Sequence, residues 1–153
     1  MKPVIREMVA TDLDRIDELE EQIFPDPWPT VAFEEHLKDP EAGGAVSLSG
    51  DIVIGYSCYW GDRGQMHLTN MAVDPVYRRK SVANELLGHI LDLARKQGCE
   101  LIFLEVRVSN EIAHQFYKSA GFQTINRSAG YYNDPTEDAL VMSRWIEPDR
   151  DGK

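Results

Sequence analysis

The sequence has few cysteines, few basic residues and no long apolar run. Its two cysteines, Cys58 and Cys99, show no C-x-x-C spacing, which predicts reduced thiols rather than a disulfide or a zinc site. The four histidines include no i, i+4 pair, so we expect no metal site. Because the sequence shows neither a signal segment nor an apolar run of membrane length, we expect a cytoplasmic protein without a membrane partner.

The charge and length limit the partners and the domain count. Basic residues number 16 against 26 acidic residues, for a formal net charge of -10, which argues against direct nucleic-acid binding. A length of 153 residues and an apolar content of 42% fit one domain. We place it at residues 1–146, followed by a loose tail at 147–153, and expect a monomer or a weak dimer.

Several familiar motifs are also missing. The sequence contains neither G-x-G-x-x-G nor G-x-x-x-x-G-K-[ST], which bind nucleotide phosphates, and it lacks the G-x-S-x-G nucleophile elbow. Metal-centred and nucleophilic catalysis are therefore poorly supported. Transfer of a group from a bound cosubstrate is the best enzymatic hypothesis that remains.

The first part of the chain predicts a strand, two helices and a rigid loop. A strand at residues 2–8 precedes a helix that Thr11 caps and that ends near Ile23. Residues 24–29 contain three prolines with Phe24 and Trp28, so they form a loop that either recognises a ligand or fills the space between two helices. The solvated face of the first helix carries Asp12, Asp17, Glu18, Glu20 and Glu21.

The second helix and the later elements follow from periodicity and from turn residues. Thr30 caps a helix that runs through Lys38, and Gly43 and Gly44 act as a breaker. A helix then begins near Val82, and another runs from Asn110 to Gly121. Strands are expected at residues 45–48, 52–60, 65–73, 101–106, 122–127 and 139–145, with a loop at 129–135.

A basic turn lies where a strand ends and a helix begins. Arg78, Arg79 and Lys80 precede Val82, and the unpaired N–H groups at a helix start favour an anion such as phosphate. The alternative is an ordinary solvated turn, since short motifs often occur by chance. Spacing does not decide between the two.

Two residues further along carry chemistry. Glu105 is a carboxylate in an otherwise apolar strand, so it is catalytic, exposed at an edge, or paired with Arg107 on the same face. Tyr117 brings a phenol to an apolar helix face and needs a polar partner. Either residue could also be purely structural.

Three segments in order resemble the GNAT superfamily of acetyl-CoA-dependent N-acetyltransferases. They are residues 70–83 (NMAVDPVYRRKSVA), 104–110 (LEVRVSN) and 116–122 (FYKSAGF), and within the superfamily they look most like the RimI type, which acetylates the N-terminal alanine of a ribosomal protein. The resemblance implies an α/β (α+β) fold with a mixed, mostly antiparallel twisted sheet of about seven strands and about four flanking helices. It also implies acetyl-CoA as cosubstrate and a protein N-terminus as acceptor. A small-amine acetyltransferase and a non-catalytic acyl-CoA sensor are the alternatives.

The resemblance also implies roles for individual residues. Glu105 would be the general base and Tyr117 the general acid. Aromatic residues of two loops, Phe24, Trp28, Tyr131 and Tyr132, would receive the acceptor. The cosubstrate would contact Met71, Ala72, Val73, Arg79, Lys80, Ser81, Val82, Ala83, Asn84 and Asn110.

Ser81 departs from the pattern, because the family usually has glycine there. If the backbone needs a positive φ, serine costs about 1 kcal/mol. If the backbone only needs to approach the phosphate closely, the added side chain crowds it instead.

Overall fold

The structure, a computed structural model, describes residues 3–78 and 81–147, without the side chain of Asp62. Short 3₁₀ turns at Ala10–Asp12 and Pro75–Tyr77 precede α1 and α3. The described part of the chain contains no helix long and apolar enough to cross a membrane. The main elements are β1 (Val4–Glu7), α1 (Leu13–Ile23), α2 (Thr30–Lys38), β2 (Ala42–Ser49), β3 (Ile52–Asp62), β4 (Gln65–Val73), α3 (Val82–Lys96), β5 (Leu101–Arg107), α4 (Glu111–Ser119), β6 (Gln123–Tyr132) and β7 (Glu137–Trp145).

All seven strands form one sheet in the order β1-β2-β3-β4-β5-β7-β6. Every neighbouring pair is antiparallel except β4 and β5, which are parallel because α3 connects them as a crossover. The predicted fold class is therefore confirmed. The tail predicted from residue 147 lies, apart from Glu147, outside the described residues, and the domain limit at 146 stays a prediction.

Helices cover both faces of the sheet. Side chains from α1 and α2, among them Ile16, Leu19 and Phe33, pack with Val46 and Ala72. The neighbouring strand residues Ala45 and Val73 pack instead with Val82 and Leu86 of α3. Because successive strand side chains point to opposite faces, α1 and α2 lie on one face and α3 on the other.

Two of the predicted helix caps are wrong. Thr11 lies within the 3₁₀ turn before α1, where the Asp12 carboxylate accepts the Val9 N–H at 2.8 Å. Thr30 is the first residue of α2, and its hydroxyl donates to the Asp17 carboxylate at 2.6 Å. The side chains of Asp and Thr can hydrogen-bond to several nearby groups. The sequence therefore did not show which residue near a helix start forms the cap.

The predicted breaker at Gly43 and Gly44 is also wrong, since both lie inside β2 opposite Tyr59 and Cys58. A Cβ at Gly43 would overlap the Tyr59 ring, and one at Gly44 would lie 2.8 Å from the Ser57 carbonyl oxygen. These glycines are therefore compatible with the strand because they permit close approach. The loop predicted at 129–135 is also partly wrong, because β6 continues as far as Tyr132.

Two acidic residues expected on a solvated face are buried. Asp12 is 6% exposed and receives two hydrogen bonds from the Arg6 guanidinium, at 2.8 and 2.9 Å. Glu20 is 1% exposed. Both carboxylates have several donors around them, and that arrangement makes their burial tolerable.

Candidate active site

The site lies where β4 and β5 separate. Their parallel ladder joins residues 65–67 to residues 101–103, and it ends at the pair His67 and Phe103. Beyond this pair a cavity of about 170 Å³ opens between the two strands. Its lining includes Glu20, Phe24, Asp26, Trp28, Asn70, Met71, Glu105, Arg107, Asn110, Tyr117 and Tyr132.

Glu105 reaches this cavity from β5. Its Oε1 lies 2.6 Å from Nε2 of His67, and the imidazole stacks on the Phe103 ring with centroids 4.3 Å apart. The alternative that Glu105 pairs with Arg107 is wrong, because Arg107 pairs with Glu137 at 3.2 Å. The side chain of Glu105 is 13% exposed, so it can reach a ligand in the cavity while remaining fixed by His67.

Arg107 holds the turn between β6 and β7. Its guanidinium donates to the carbonyl oxygens of Asn133 and Pro135, at 3.2 and 3.0 Å. It also lies over the Tyr132 ring, 4.4 Å from the centroid. This cation–π contact and the two hydrogen bonds fix Tyr132 in the cavity wall.

The two tyrosines expected at the acceptor side lie together, with ring centroids 4.9 Å apart. Tyr132 lines the cavity, whereas Tyr131 is 47% exposed beside it. Burial, then the charge of Glu105 and a hydrogen bond with it, raise the pKa of the Tyr131 phenol. Glu105 therefore has His67 on one side and Tyr131 on the other.

Tyr117 enters the cavity from α4. The residue is 8% exposed, and its ring contacts those of Phe116 and Phe122 edge-on. Burial is the main cause that raises the pKa of this phenol, and the charge of Tyr132 adds to it. Tyr117 therefore keeps its proton through the neutral pH range and can donate it.

The residues predicted to meet the cosubstrate differ in which of their groups a ligand could reach. Ala72, Val73 and Val82 have buried side chains, so they can offer only backbone groups. Ala83 and Asn84 lie more openly on the first turn of α3, whereas Arg79 and Lys80 lie outside the described residues. The Asn110 side chain accepts the Ala113 N–H as the cap of α4 at 3.1 Å, so its Nδ2 group is the part that could donate to a ligand.

The end of β4 and the start of α3 fit an elongated anionic ligand. On its β5 side, β4 is unpaired beyond His67, while its other side stays bonded to β3 through the pairs Met71–Ser57 and Val73–Gly55. A Cβ at Gly55 would lie 3.2 Å from Val82, so the glycine lets α3 begin close to the sheet. An open strand edge leading to a helix N-terminus suits an amide chain that ends in phosphate.

Ser81 immediately precedes α3 and has φ 65° and ψ 11°, which is the left-handed conformation. Of the two possibilities left open by the sequence, the structure supports a requirement for positive φ. The backbone at this position therefore has the geometry for which glycine is favoured.

The aromatic loop, residues 24–29, fills the space between two helices and also lines the cavity. Phe24 and Trp28 pack against the core under α1 and α2, with the Trp28 and Phe33 centroids 5.1 Å apart. Both residues also line the cavity. Filling the space between the helices and forming a binding wall are therefore compatible.

The sequence predicted no site role for Glu20, Asn70 and Arg107, which line the cavity, or for His67, which contacts Glu105. Glu20 resembled its acidic neighbours, and His67 had no partner within its own segment. Their partners come from other elements, at sequence separations of 36 and 38 residues for Glu20 with Tyr56 and His67 with Glu105. Only the polar residue types within alternating strands could have drawn attention to His67 and Asn70.

Comparison with known proteins agrees with this geometry. The profile of the Acetyltransferase (GNAT) family matches residues 13–122. The chain belongs to the GNAT family. This acetyltransferase therefore uses acetyl-CoA, as the sequence resemblance implied.

Relatives and a solved structure cover nearly the whole acetyltransferase. It is 34% identical to a Bacillus subtilis (strain 168) protein provisionally named [ribosomal protein bS18]-alanine N-acetyltransferase, with 95% of each chain covered. It is 33% identical to the N-alpha-acetyltransferase RimI of Mycobacterium tuberculosis, covering 90% of this chain and 89% of that one. The crystal structure of the ribosomal-protein-S18-alanine N-acetyltransferase from Escherichia coli superposes with a TM-score of 0.88 at 27% identity, covering 99% of this chain and 98% of the other.

Proposed function

We propose that this acetyltransferase acts on the N-terminal α-amine of a protein, a ribosomal-protein alanine or a related protein N-terminus. The observation that carries the proposal is the cavity that Glu105 and the buried Tyr117 both line, together with Phe24, Trp28 and Tyr132. The names of the Mycobacterium and Escherichia relatives support the same acceptor class. The predicted cytoplasmic location and the monomer or weak dimer stay predictions.

An α-amine suits the base that the cavity offers. An α-amine has a pKa near 8 and a lysine near 10.4, so deprotonating the lysine costs about 3 kcal/mol more at a given pH. Glu20, Asp26 and Glu105 all contribute to the cavity lining, and Arg107 has Glu137 beside it. These carboxylates favour the arrival of a positively charged amine.

Each residue then has a defined task. Glu105, oriented by His67, removes a proton from the amine directly or through a water. The backbone N–H groups at the unpaired edge of β4 stabilise the developing oxyanion. Tyr117 holds the proton that the departing thiolate requires, and acetyl-CoA supplies an activated acyl thioester when bound.

The roles of the remaining residues are part of the proposal. Met71, Ala72 and Val73 would bind the cosubstrate arm through backbone groups, with Ser81, Val82, Ala83 and Asn84 at the phosphates and Asn110 nearby. Arg79 and Lys80 would add positive charge at the same place. Phe24, Trp28, Tyr131 and Tyr132 would enclose the first residues of the acceptor.

The test is to mix the purified protein with acetyl-CoA and short peptides that differ only in their first residue. Thiol release and peptide mass are followed together, with an N-terminally blocked peptide and a peptide containing an internal lysine as controls. We expect acetylation of the free α-amine of peptides that begin with Ala or Ser, and none of the blocked peptide. Free small amines are assayed in parallel, and turnover of these alone would identify a small-amine acetyltransferase. Binding of acetyl-CoA without turnover on any acceptor would identify a sensor.

A further inference from the structure

We propose that Glu20 is a positioning residue that fixes the aromatic loop against β4 and thereby sets the geometry of acceptor binding. The inference rests on the proposed function for its kinetic consequence, although the contact itself can be measured without turnover. Glu20 lies on α1, lines the cavity and is 1% exposed. The proposed chemistry assigns no proton transfer to it.

The Glu20 carboxylate joins three separate elements. Its Oε2 accepts the backbone N–H of Trp28, in the aromatic loop, at 3.0 Å. Its Oε1 accepts from the Tyr56 hydroxyl of β3 at 2.7 Å and from Nδ2 of Asn70, on β4, at 2.5 Å. One side chain therefore connects the aromatic loop to β3 and to β4, at the residue before Met71.

All three partners are donors, and this restricts what can occupy the position. An ionised carboxylate accepts at both oxygens and donates nowhere, whereas an amide would direct an N–H₂ group at one pair of partners. Burial and the charge of Glu20 both raise the pKa of Tyr56, so its hydroxyl remains a donor. An apolar side chain of similar length would leave three polar groups without their acceptor.

The Trp28 contact matters because the aromatic loop has few other backbone donors. Residues 25, 27 and 29 are prolines and have no N–H group, so within residues 25–29 only Asp26 and Trp28 can donate through the backbone. Glu20 takes the Trp28 donor. Without that bond, the Trp28 side chain can shift relative to Glu105. An acceptor bound against Trp28 would then shift as well, and small displacements of a bound reactant lower the rate steeply.

Binding of acetyl-CoA should be much less affected by the loss of Glu20. Asn70 and Met71 remain paired with Cys58 and Ser57 across the β3–β4 ladder, whatever occupies position 20. Loss of Glu20 should therefore weaken acceptor binding and leave acetyl-CoA binding nearly unchanged. This separation distinguishes a positioning role from general disruption of the fold.

The kinetic test compares Glu20→Met with Glu21→Met, which makes the same change at an exposed position on the same helix. We expect the peptide KM of Glu20→Met to rise about tenfold or more, with a weaker preference for the first residue, while the acetyl-CoA Kd stays within about twofold. Glu20→Gln keeps one acceptor oxygen instead of two and should fall between wild type and Glu20→Met. This variant also serves as the test if Glu20→Met does not fold. A peptide KM of the folded variant equal to that of wild type and Glu21→Met would overturn the proposal.

A second measurement is independent of catalysis. The protein has three tryptophans, so labelling with ¹⁵N-tryptophan gives three backbone amide signals, and Trp28→Phe identifies the one from Trp28. We expect hydrogen exchange at Trp28 to accelerate by about tenfold or more in Glu20→Met and to stay unchanged in Glu21→Met. Unchanged exchange in Glu20→Met would refute the link. Faster exchange in a protein that acetylates no peptide would support the link and reject the proposed function.

Discussion

The Nε2 atom of His67 lies 2.6 Å from Oε1 of Glu105, although the two residues are 38 positions apart. The parallel pairing of β4 with β5 brings them together, because His67 lies opposite Phe103 and its ring stacks there. The imidazole thus fixes one oxygen of a carboxylate that lines the cavity.

Removing this contact should slow catalysis. We expect His67→Ala to lower kcat by about tenfold, because an unrestrained carboxylate spends less time in the reactive orientation, and Glu105→Gln to lower kcat/KM by about 10²–10⁴-fold. Steady-state assays with the preferred peptide measure both effects, with His114→Ala as the control on α4. An unchanged kcat in His67→Ala alongside an inactive Glu105→Gln would show that His67 does not assist Glu105.

Tyr117 should behave as an acid rather than as a binding group. Tyr117→Phe removes only the hydroxyl, so we expect kcat to fall about 100-fold while the peptide KM changes little, with Tyr59→Phe as the control. Because burial raises the pKa of Tyr117, its proton should stay in place up to at least the ordinary tyrosine value of about 10. A pH profile of kcat that declines well below pH 10 in wild type, and not in Tyr117→Phe, would contradict this.

Ser81 offers a test of backbone strain. At φ 65° a serine is less favourable than glycine, so Ser81→Gly should raise the free energy of unfolding by up to about 1 kcal/mol. Ser81→Ala keeps a Cβ and should show no such gain. Urea unfolding without acetyl-CoA measures both variants, and equal stability of the two would mean that φ at this position is not limiting.

Asp12 makes stability depend on pH. Burial raises the pKa of this carboxyl, but the hydrogen bonds from Arg6 and Val9 and the Arg6 charge together lower it below the ordinary value. A carboxyl with a lowered folded-state pKa stabilises the fold above its unfolded value, and that contribution is lost as the pH falls through the folded value. We expect Asp12→Asn to cost about 1.5–3 kcal/mol at pH 7.

Comparing wild type with Asp12→Asn at low pH checks the predicted direction of the pH dependence. The difference in unfolding free energy between wild type and Asp12→Asn should shrink once the pH falls below about 4, where the unfolded aspartate protonates. Asp14→Asn, at an exposed position of α1, should show little effect at either pH. A difference that does not shrink between pH 7 and pH 2 would mean that the ion pair is not its source.

The fold was predictable because its signals are local. The alternation in β5 and the helical spacing in α3 and α4 identified these elements, and three motifs together identified the family. The prediction for Gly43 and Gly44 was wrong because the groups that require glycine there, the Tyr59 ring and the Ser57 carbonyl oxygen, lie on another strand. The limits of β6 were missed for a related reason, since its pairing with β7 continues through bulges that interrupt the alternation.

The site was only half predictable. Glu105, Tyr117 and the aromatic residues stood out by type, and the structure places Glu105, Tyr117, Phe24, Trp28 and Tyr132 around one cavity. Glu20 and Asp12 did not stand out, because a helix face rich in carboxylates looks solvated whichever of them is buried. The residues that contact them lie on β1, β3 and β4, and these contacts form only when the chain folds.

The separation of β4 from β5 also bears on how the molecule holds together. The parallel ladder joins the β1–β4 and β5–β7 portions of the sheet through only three residue pairs. We call this boundary, where few hydrogen bonds cross the sheet, the seam. A ligand arm that carries amides and lies along the seam would act as an additional short strand. We therefore expect the two portions to unfold more cooperatively when acetyl-CoA is bound. Binding of the cosubstrate would then also hold the two portions of the sheet together.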